Sequence, residues 1–146
     1  MKERFETFTV LIAEINRSIK KLKNSEMAEY GLRSAHISCL YYLYLSDELT
    51  ATDLCERCHE DKATVSRALD YLEDHDFIIC ESKSPKRYKS PITLTEKGRD
   101  VGKRIADRVN GVLDEISGVL TEDERVELYR SLSLINDALE RCADRS

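Results

Sequence analysis

Apolar positions along this chain recur with a helical period almost everywhere, and with a period of two at one place. Phe5, Phe8, Ile12, Ile15, Ile19 and Leu22 alternate steps of three and four, a seven-residue repeat that predicts a helix over 2–24. Leu11 widens the stripe. Nothing else so early in the chain covers it, so it calls for a partner helix from this chain or another. Residues 24–31 read as a break, with Gly31 a C-cap or turn residue. A second helix is expected from Ser34 to about Leu45, with Ile37, Leu40, Tyr41 and Tyr44 as its main apolar face and Tyr42 and Leu43 widening it. After the turn at Ser46–Glu48, Thr50 is placed to cap a helix over Ala51–Cys58, with Asp53 in capping-box position. Leu54, Cys55 and Cys58 are its expected inward face. His59-Glu60 is a turn, and Asp61 is a good N-cap for the next helix. There Val65, Ala68, Leu69 and Leu72 fall at i, i+3, i+4 and i+7.

Two short helices separated by a short turn have the spacing of a helix-turn-helix, whose second helix enters the major groove of DNA. The face opposite Val65 and Leu69 carries Ala63, Ser66, Arg67 and Asp70, flanked by Thr64 and Tyr71. Small and hydrogen-bonding residues around one Arg suit close approach to base edges. An ordinary amphipathic helix with a solvated face gives the same pattern. The next twenty residues of the chain separate the two readings. Phe77-Ile78-Ile79-Cys80 is a β-prone run, and Ile92-Thr93-Leu94-Thr95 alternates as a half-buried strand. Between them, Glu81–Pro91 holds Lys83, Lys86, Arg87 and Lys89, with Tyr88 and two prolines. A stiff cationic loop on a two-stranded ribbon can follow a phosphate backbone or enter a minor groove. Cations also protect a bare sheet edge from pairing.

Thr95 then caps a long helix from Glu96 to about Leu120, with the stripe Val101, Ile105, Val109, Val112, Ile116, Leu120. Gly98, Gly102, Gly111 and Gly118 lie along it and suggest close helix–helix approach or a bend. Thr121-Glu122-Asp123-Glu124 is a capping box that opens a last helix, with Leu128, Leu132, Ile135, Leu139 and Cys142 on one side. The first helix and the last two therefore carry stripes outside the reading head. The economical packing is a helical bundle, and shared between two chains it makes a two-fold dimer.

At 146 residues with 41% apolar content, the chain fits one domain, or one domain with a helical extension. Its formal charge of −5 argues against a generally basic coat, but the distribution is uneven. From Lys83 to Arg104 eight basic residues face two acidic ones, a balance of +6 that leaves −11 elsewhere. Such a segment is the footprint of a localised anion-binding face. No signal peptide or membrane span is visible, so a cytoplasmic protein is expected.

Five cysteines in such a chain read as reduced thiols. Cys55-Glu56-Arg57-Cys58-His59 matches the C-x-x-C-H pattern of covalent haem attachment. It falls where a helix-turn-helix needs small apolar residues, and Cys is a common buried one. A thiol- or metal-responsive site at Cys55, Cys58 and His59 stays open as the alternative. His36, Cys39, His75 and Cys80 are the candidates for a fourth zinc ligand. No cofactor is expected, and no catalytic motif is present: there is no G-x-S-x-G, Gly-rich phosphate loop or H-E-x-x-H. The three tyrosines Tyr41, Tyr42 and Tyr44 are candidate pocket residues, although core packing gives the same stripe.

Three stretches together resemble the MarR family of bacterial and archaeal transcription regulators. They are Gly31-Leu32 with the helix to Leu40; Leu54–Leu72, where Asp61-Lys62-Ala63-Thr64-Val65-Ser66-Arg67 is similar to the family's D-K-x-T-V-[ST]-R; and Ile92-Thr93-Leu94-Thr95-Glu96-Lys97-Gly98, similar to its post-wing L-T-E-x-G. The resemblance spans nearly the whole chain. It implies a mainly α fold with a small β-wing: a winged helix-turn-helix over 31–99, flanked by dimerisation helices in 1–30 and 100–146. It implies a homodimer on a palindromic double-stranded operator, acting as a repressor and often released by a small aromatic ligand. Bases would be met by Ala63, Thr64, Ser66 and Arg67. Phosphates or the minor groove would be met by Lys62, Lys83, Lys86, Arg87 and Lys89. The wing departs from the family's Asp-x-Arg, since Lys86-Arg87-Tyr88 stands there; the contact is then expected from Arg87 or Lys86. The peroxide-sensing members use a cysteine early in the first helix, and this chain has none before Cys39.

Overall fold

Caps and stripes fix the element boundaries of this chain. A computed structural model describes residues 5–26, 28–81 and 89–145. The elements are α1 (Phe5–Glu26), a 3-10 turn (Ala28–Tyr30), α2 (Ser34–Leu45), α3 (Ala51–Cys58), α4 (Lys62–Asp74), β1 (Ile78–Cys80), β2 (Ile92–Leu94), α5 (Glu96–Ser117) and α6 (Glu122–Asp144). The fold is mainly α with a two-stranded antiparallel wing, as expected. Among the described residues, no helix is long and apolar enough to cross a membrane. The chain divides into two compact units, Met1–Ala106 and Asp107–Ser146.

In the first unit the core lies where α2, α3 and α4 meet. Leu40, Leu54, Leu69 and Leu72 are each 0% exposed there. Two inward faces differ from expectation. In α2 the buried residues are Ile37, Cys39, Leu40 and Leu43, while Tyr41 and Tyr44 are only half-buried. The helix is apolar nearly all round, so its stripe does not say which side is innermost. Aliphatic side chains take the dry side, and tyrosines keep their hydroxyls near water. In α3 the buried residues are Ala51 and Leu54, and Cys55 and Cys58 are half-buried.

β1 starts one residue later than its apolar run, because Phe77 is engaged elsewhere. Its N–H donates to Leu72 O at 2.8 Å, closing the end of α4, and its carbonyl accepts from Thr95 N at 3.1 Å. The ribbon pairs Ile78 with Leu94, Ile79 with Thr93 and Cys80 with Ile92. Ile92 and Leu94 point inward and Thr93 outward, the alternation a one-sided strand requires. Ile92 N also donates to Leu49 O at 2.9 Å, tying the ribbon to the turn before α3. Two glycines of α5 sit at close approaches. A Cβ on Gly98 would meet the Phe77 carbonyl oxygen at 1.9 Å, and one on Gly102 would meet Tyr44 Cβ at 2.9 Å.

In the second unit α5 ends at Ser117, short of Leu120. Arg125 Nη1 donates to the carbonyls of Ser117 (3.0 Å) and Leu120 (3.1 Å), satisfying orphan acceptors there. The capping box at Thr121 forms in full, with Thr121 N donating to Glu124 Oε1 at 3.0 Å and Glu124 N to Thr121 Oγ1 at 3.2 Å. None of the described residues of α6 is buried, and Val126, Leu128, Tyr129, Leu134 and Leu139 are exposed.

Candidate nucleic-acid interface

The site is built from two capped helices and the turn between them. Thr50 caps α3: its Oγ1 accepts from Asp53 N at 3.2 Å while Asp53 Oδ2 accepts from Thr50 N at 2.9 Å. His59 ends α3 in the left-handed region at φ 52°, a reversal that lets the chain leave the helix within one residue. Asp61 then caps α4, its Oδ1 accepting from Thr64 N at 2.7 Å. That bond holds the Asp61 carboxyl below its ordinary range, with the Thr64 hydroxyl and the Arg67 charge acting the same way. The helix dipole favours a carboxylate at this end as well.

The underside of α4 is Val65, Ala68, Leu69 and Leu72, all buried, and α4 packs on both α2 and α3. Its orientation is therefore fixed from below. The outward side carries Lys62, Ala63 and Arg67, all exposed, with Thr64 and Ser66 half-buried beside them. These five residues stand on one solvent-facing side of a rigidly held helix. Asp70 continues that side toward the C-terminus.

The ribbon is tethered to α4. Cys80 N donates to Glu73 Oε2 at 3.2 Å, and Thr95 Oγ1 donates to the carbonyl of Asp76 at 2.5 Å. Of the loop cations, Lys89 is exposed, while Lys83, Lys86 and Arg87 lie outside the described residues. Two exposed cations of the basic segment have intramolecular partners. Lys97 Nζ donates to His75 O at 2.8 Å and sits 4.2 Å from the Phe77 ring centroid, and Arg104 donates to the Tyr30 hydroxyl. Charge counting along the sequence could not show that these two already hold partners within the chain.

A stack of rings that periodicity does not reveal joins α2 to α4. His36 lies 4.4 Å from Tyr71, and Tyr71 lies 3.9 Å from His75, all nearly parallel. His36 Nδ1 accepts from Arg33 N at 2.9 Å, which requires a neutral ring. Burial pushes the His36 pKa down, and the nearby His75 and Arg33 add to the effect. The i, i+4 spacing of Tyr71 and His75 was the available signal; the partner on α2 was not.

Tyr41 and Tyr42 meet edge to face at 5.2 Å, and Tyr44 packs over Gly102. A groove of about 430 Å³ in the first unit is lined instead by Tyr30, Glu96, Lys97, Asp100, Val101 and Arg104. Among the described residues, no group of three or more His, Cys, Asp or Glu is placed to hold a metal ion. Cys39 on α2 is buried, while Cys55 and Cys58 on α3 are half-buried.

Known proteins share both the sequence and the shape of this chain. Residues 30–87 match a family model described as MarR family. Over 117 residues the chain is 26% identical to the HTH-type transcriptional regulator SarZ of Staphylococcus epidermidis, covering 80% of this chain and 78% of that one. In fold it is similar to NMB1585, a MarR family regulator from Neisseria meningitidis, with a TM-score of 0.83 at 17% identity over 99% of each chain. It is also similar to Staphylococcus aureus MepR in a complex with DNA, with a TM-score of 0.79 at 20% identity over 90% of this chain and 97% of that one.

Proposed function

We propose that this chain, whose residues 30–87 match a family model described as MarR family and whose fold is similar to that of such a regulator, is a MarR-family transcriptional regulator that binds a palindromic duplex operator as a homodimer. The observation that carries this reading is α4. Its cap, its buried underside and its exposed Lys62, Ala63 and Arg67 make a rigid helix presented to solvent and tethered to the β1–β2 ribbon. Such a helix fits a major groove, where Arg67 can donate two hydrogen bonds to a guanine and Ala63 can lie close to a base edge. Thr64 and Ser66 border the same edge, and Lys62, Lys83, Lys86, Arg87 and Lys89 meet phosphates or the minor groove. The DNA-bound relative MepR supports the same class of partner.

The exposed apolar residues Leu11, Ile15, Ile19 and Leu22 of α1, with Leu134 and Leu139 of α6, support pairing with a second copy. By the family resemblance, binding represses, and a small aromatic ligand releases the protein; Tyr41, Tyr42 and Tyr44 are the residues proposed to meet it. The protein carries out no catalysis in this role and works in the cytoplasm.

The test is a salt titration of binding to the duplex upstream of the protein's own coding region and to a pool of genomic fragments, beside a scrambled duplex. A preferred duplex is expected to bind about 10³-fold or more tighter than the scrambled one, with log K falling linearly in log salt. Weak, equal binding to every fragment overturns the reading.

A further inference from the structure

Two histidines flank Tyr71, and their Nδ1 atoms do opposite things. His36 Nδ1 accepts a hydrogen bond from Arg33 N at 2.9 Å, so it carries no proton. His75 Nδ1 lies 2.9 Å from the Tyr71 carbonyl oxygen, which only accepts, so it carries one. A second proton leaves the His75 bond intact, because that nitrogen already donates. On His36 the second proton lands on the bare Nδ1, facing the Arg33 N–H, and the bond is lost.

That bond holds the first turn of α2. Arg33 is the N-cap residue, and its guanidinium offers no acceptor to the helix start. His36 stands at the third helical position, where a capping box ordinarily has Glu or Gln. An amide there accepts at every pH; an imidazole accepts only while neutral. The neighbouring Ser34 N–H is met from α1, by Asn24 Oδ1 at 2.9 Å.

The same ring begins the stack that joins α2 to α4. It lies 27° from the plane of Tyr71, and Tyr71 lies 19° from that of His75. The Tyr71 hydroxyl reaches the turn before α2, where a Cβ on Gly31 would stand 2.7 Å from it. Buried aliphatic residues hold the middle of the α2–α4 join, and the stack holds its rim, the first turn of α2 against the end of α4. Arg67 stands one turn before Tyr71, so a shift of that rim is felt on the outward side of α4.

We propose that His36 is a proton-sensitive positioning residue for α4: proton uptake at Nδ1 breaks the Arg33 bond, turns the ring out of the stack and lowers the preference for the operator in mild acid. The proposal rests on the reading of α4 as the helix that meets bases.

The ring has to turn, because two N–H donors cannot face each other along a 2.9 Å line. The face of Tyr71 attracts a cation, but only while the ring stays parallel to it. The groups around His36 oppose its charge. Arg33 lies on its own cap and His75 across Tyr71; from α5, Lys97 Nζ is bonded to His75 O at 2.8 Å, and from α1, Lys23 Nζ to Ser38 Oγ at 3.0 Å. Burial, His75 and Arg33 hold the His36 pKa below its ordinary 6.5. The stabilisation is therefore complete above pH 6.5 and is lost as pH falls through the lower folded value.

The test follows the full chain, with its histidines labelled by nitrogen-15, from pH 7.5 to 5 by ring nitrogen–proton correlations. At neutral pH His36 is expected as the Nε2–H tautomer and His75 as the Nδ1–H tautomer. In acid the His36 ring should titrate below 6.5, and the Arg33 amide and Tyr71 ring resonances should move with the same midpoint. The ratio of affinities for the preferred and scrambled duplexes should fall about threefold or more by pH 5, the worth of about one hydrogen bond. His36→Gln keeps an acceptor for Arg33 N–H and cannot titrate, so its ratio should stay flat. Tyr71→Phe keeps the stack and should keep the fall, whereas Tyr71→Leu should flatten it while His36 still titrates. An Nδ1–H tautomer at His36, titration at or above 6.5, silent Arg33 and Tyr71 resonances, a native ratio that does not fall, or an equal fall in His36→Gln overturns the proposal. If no duplex is preferred at any pH, the operator reading fails, while the tautomers, the titration and the Tyr71 shift still decide the ring switch, as they do if a variant does not fold.

Discussion

Asp61 shows how much one short side chain carries in this protein. Its carboxylate satisfies the Thr64 N–H, one of the orphan donors at the start of α4, and fixes where that helix begins. Asp61→Ala is expected to lower the thermal midpoint by a few degrees, whereas Asp61→Asn, also a good cap, should leave it nearly unchanged at neutral pH. The two variants separate further with acid. The folded carboxyl lies below its ordinary range, so its stabilisation is fully present above the unfolded value, about 3.9, and is lost as pH falls through the lower folded value. Thermal melts from pH 6 to 3 should show the gap between the native protein and Asp61→Ala closing with acid, while Asp61→Asn keeps its cap throughout. A gap that stays constant contradicts the ionised cap.

At the scale of the element, the proposal divides the work of binding between α4 and the ribbon. Arg67→Ala is expected to cost about 1–3 kcal/mol on the preferred duplex and to relax sequence preference, and Lys86→Ala to weaken all sequences alike and reduce the salt slope by about one. Competition binding on matched and scrambled duplexes reads both, and an equal loss on both duplexes for Arg67→Ala removes its base-reading role. The join between ribbon and α5 is tested by Gly98→Ala. The added methyl would lie 1.9 Å from a backbone carbonyl oxygen, which cannot rotate away as a side chain would. Thermal melting is expected to show a large destabilisation, whereas Gly111→Ala, with nothing within 4 Å, should be neutral or stabilising.

These elements also show what the sequence disclosed and why. The caps at Thr50, Asp61 and Thr121 were legible, because a cap is a relation among residues three apart. The underside of α4 was legible, because its stripe is narrow and its other side polar. The inward face of α2 was not, because Ser34–Leu45 is apolar on almost every side and only the packing of α3 and α4 selects Cys39 and Leu43 over the tyrosines. Three glycines along α5 and Gly118 just beyond it hinted at close approach, yet of these only Gly98 and Gly102 meet neighbours that a methyl would strike hard. Partners distant in sequence, such as His36 for Tyr71 and His75 O for Lys97, leave no periodic trace.

For the whole molecule, the question is what covers the stripes. Ile15, Ile19 and Leu22 on α1 are exposed, and so are Val126, Leu134 and Leu139 on α6. Stable monomers rarely leave large contiguous apolar patches in water. We propose that a second copy covers each of these stripes, in the isologous pairing that two-fold symmetry requires. The native protein is therefore expected to scatter light as a dimer at micromolar concentration, and Ile15→Glu combined with Leu139→Glu to shift it toward monomer. A dimer also fixes the spacing of its half-sites at about one turn of DNA, roughly 34 Å or 10 base pairs. Inserting about 5 base pairs between the half-sites rotates one of them to the far side of the duplex, while shortening neither. Binding to that duplex should fall to the level of a single half-site, with no change for the double variant, which already reads one half-site at a time. A monomeric native protein, or native binding indifferent to the insertion, would remove the terminal helices from the role assigned to them.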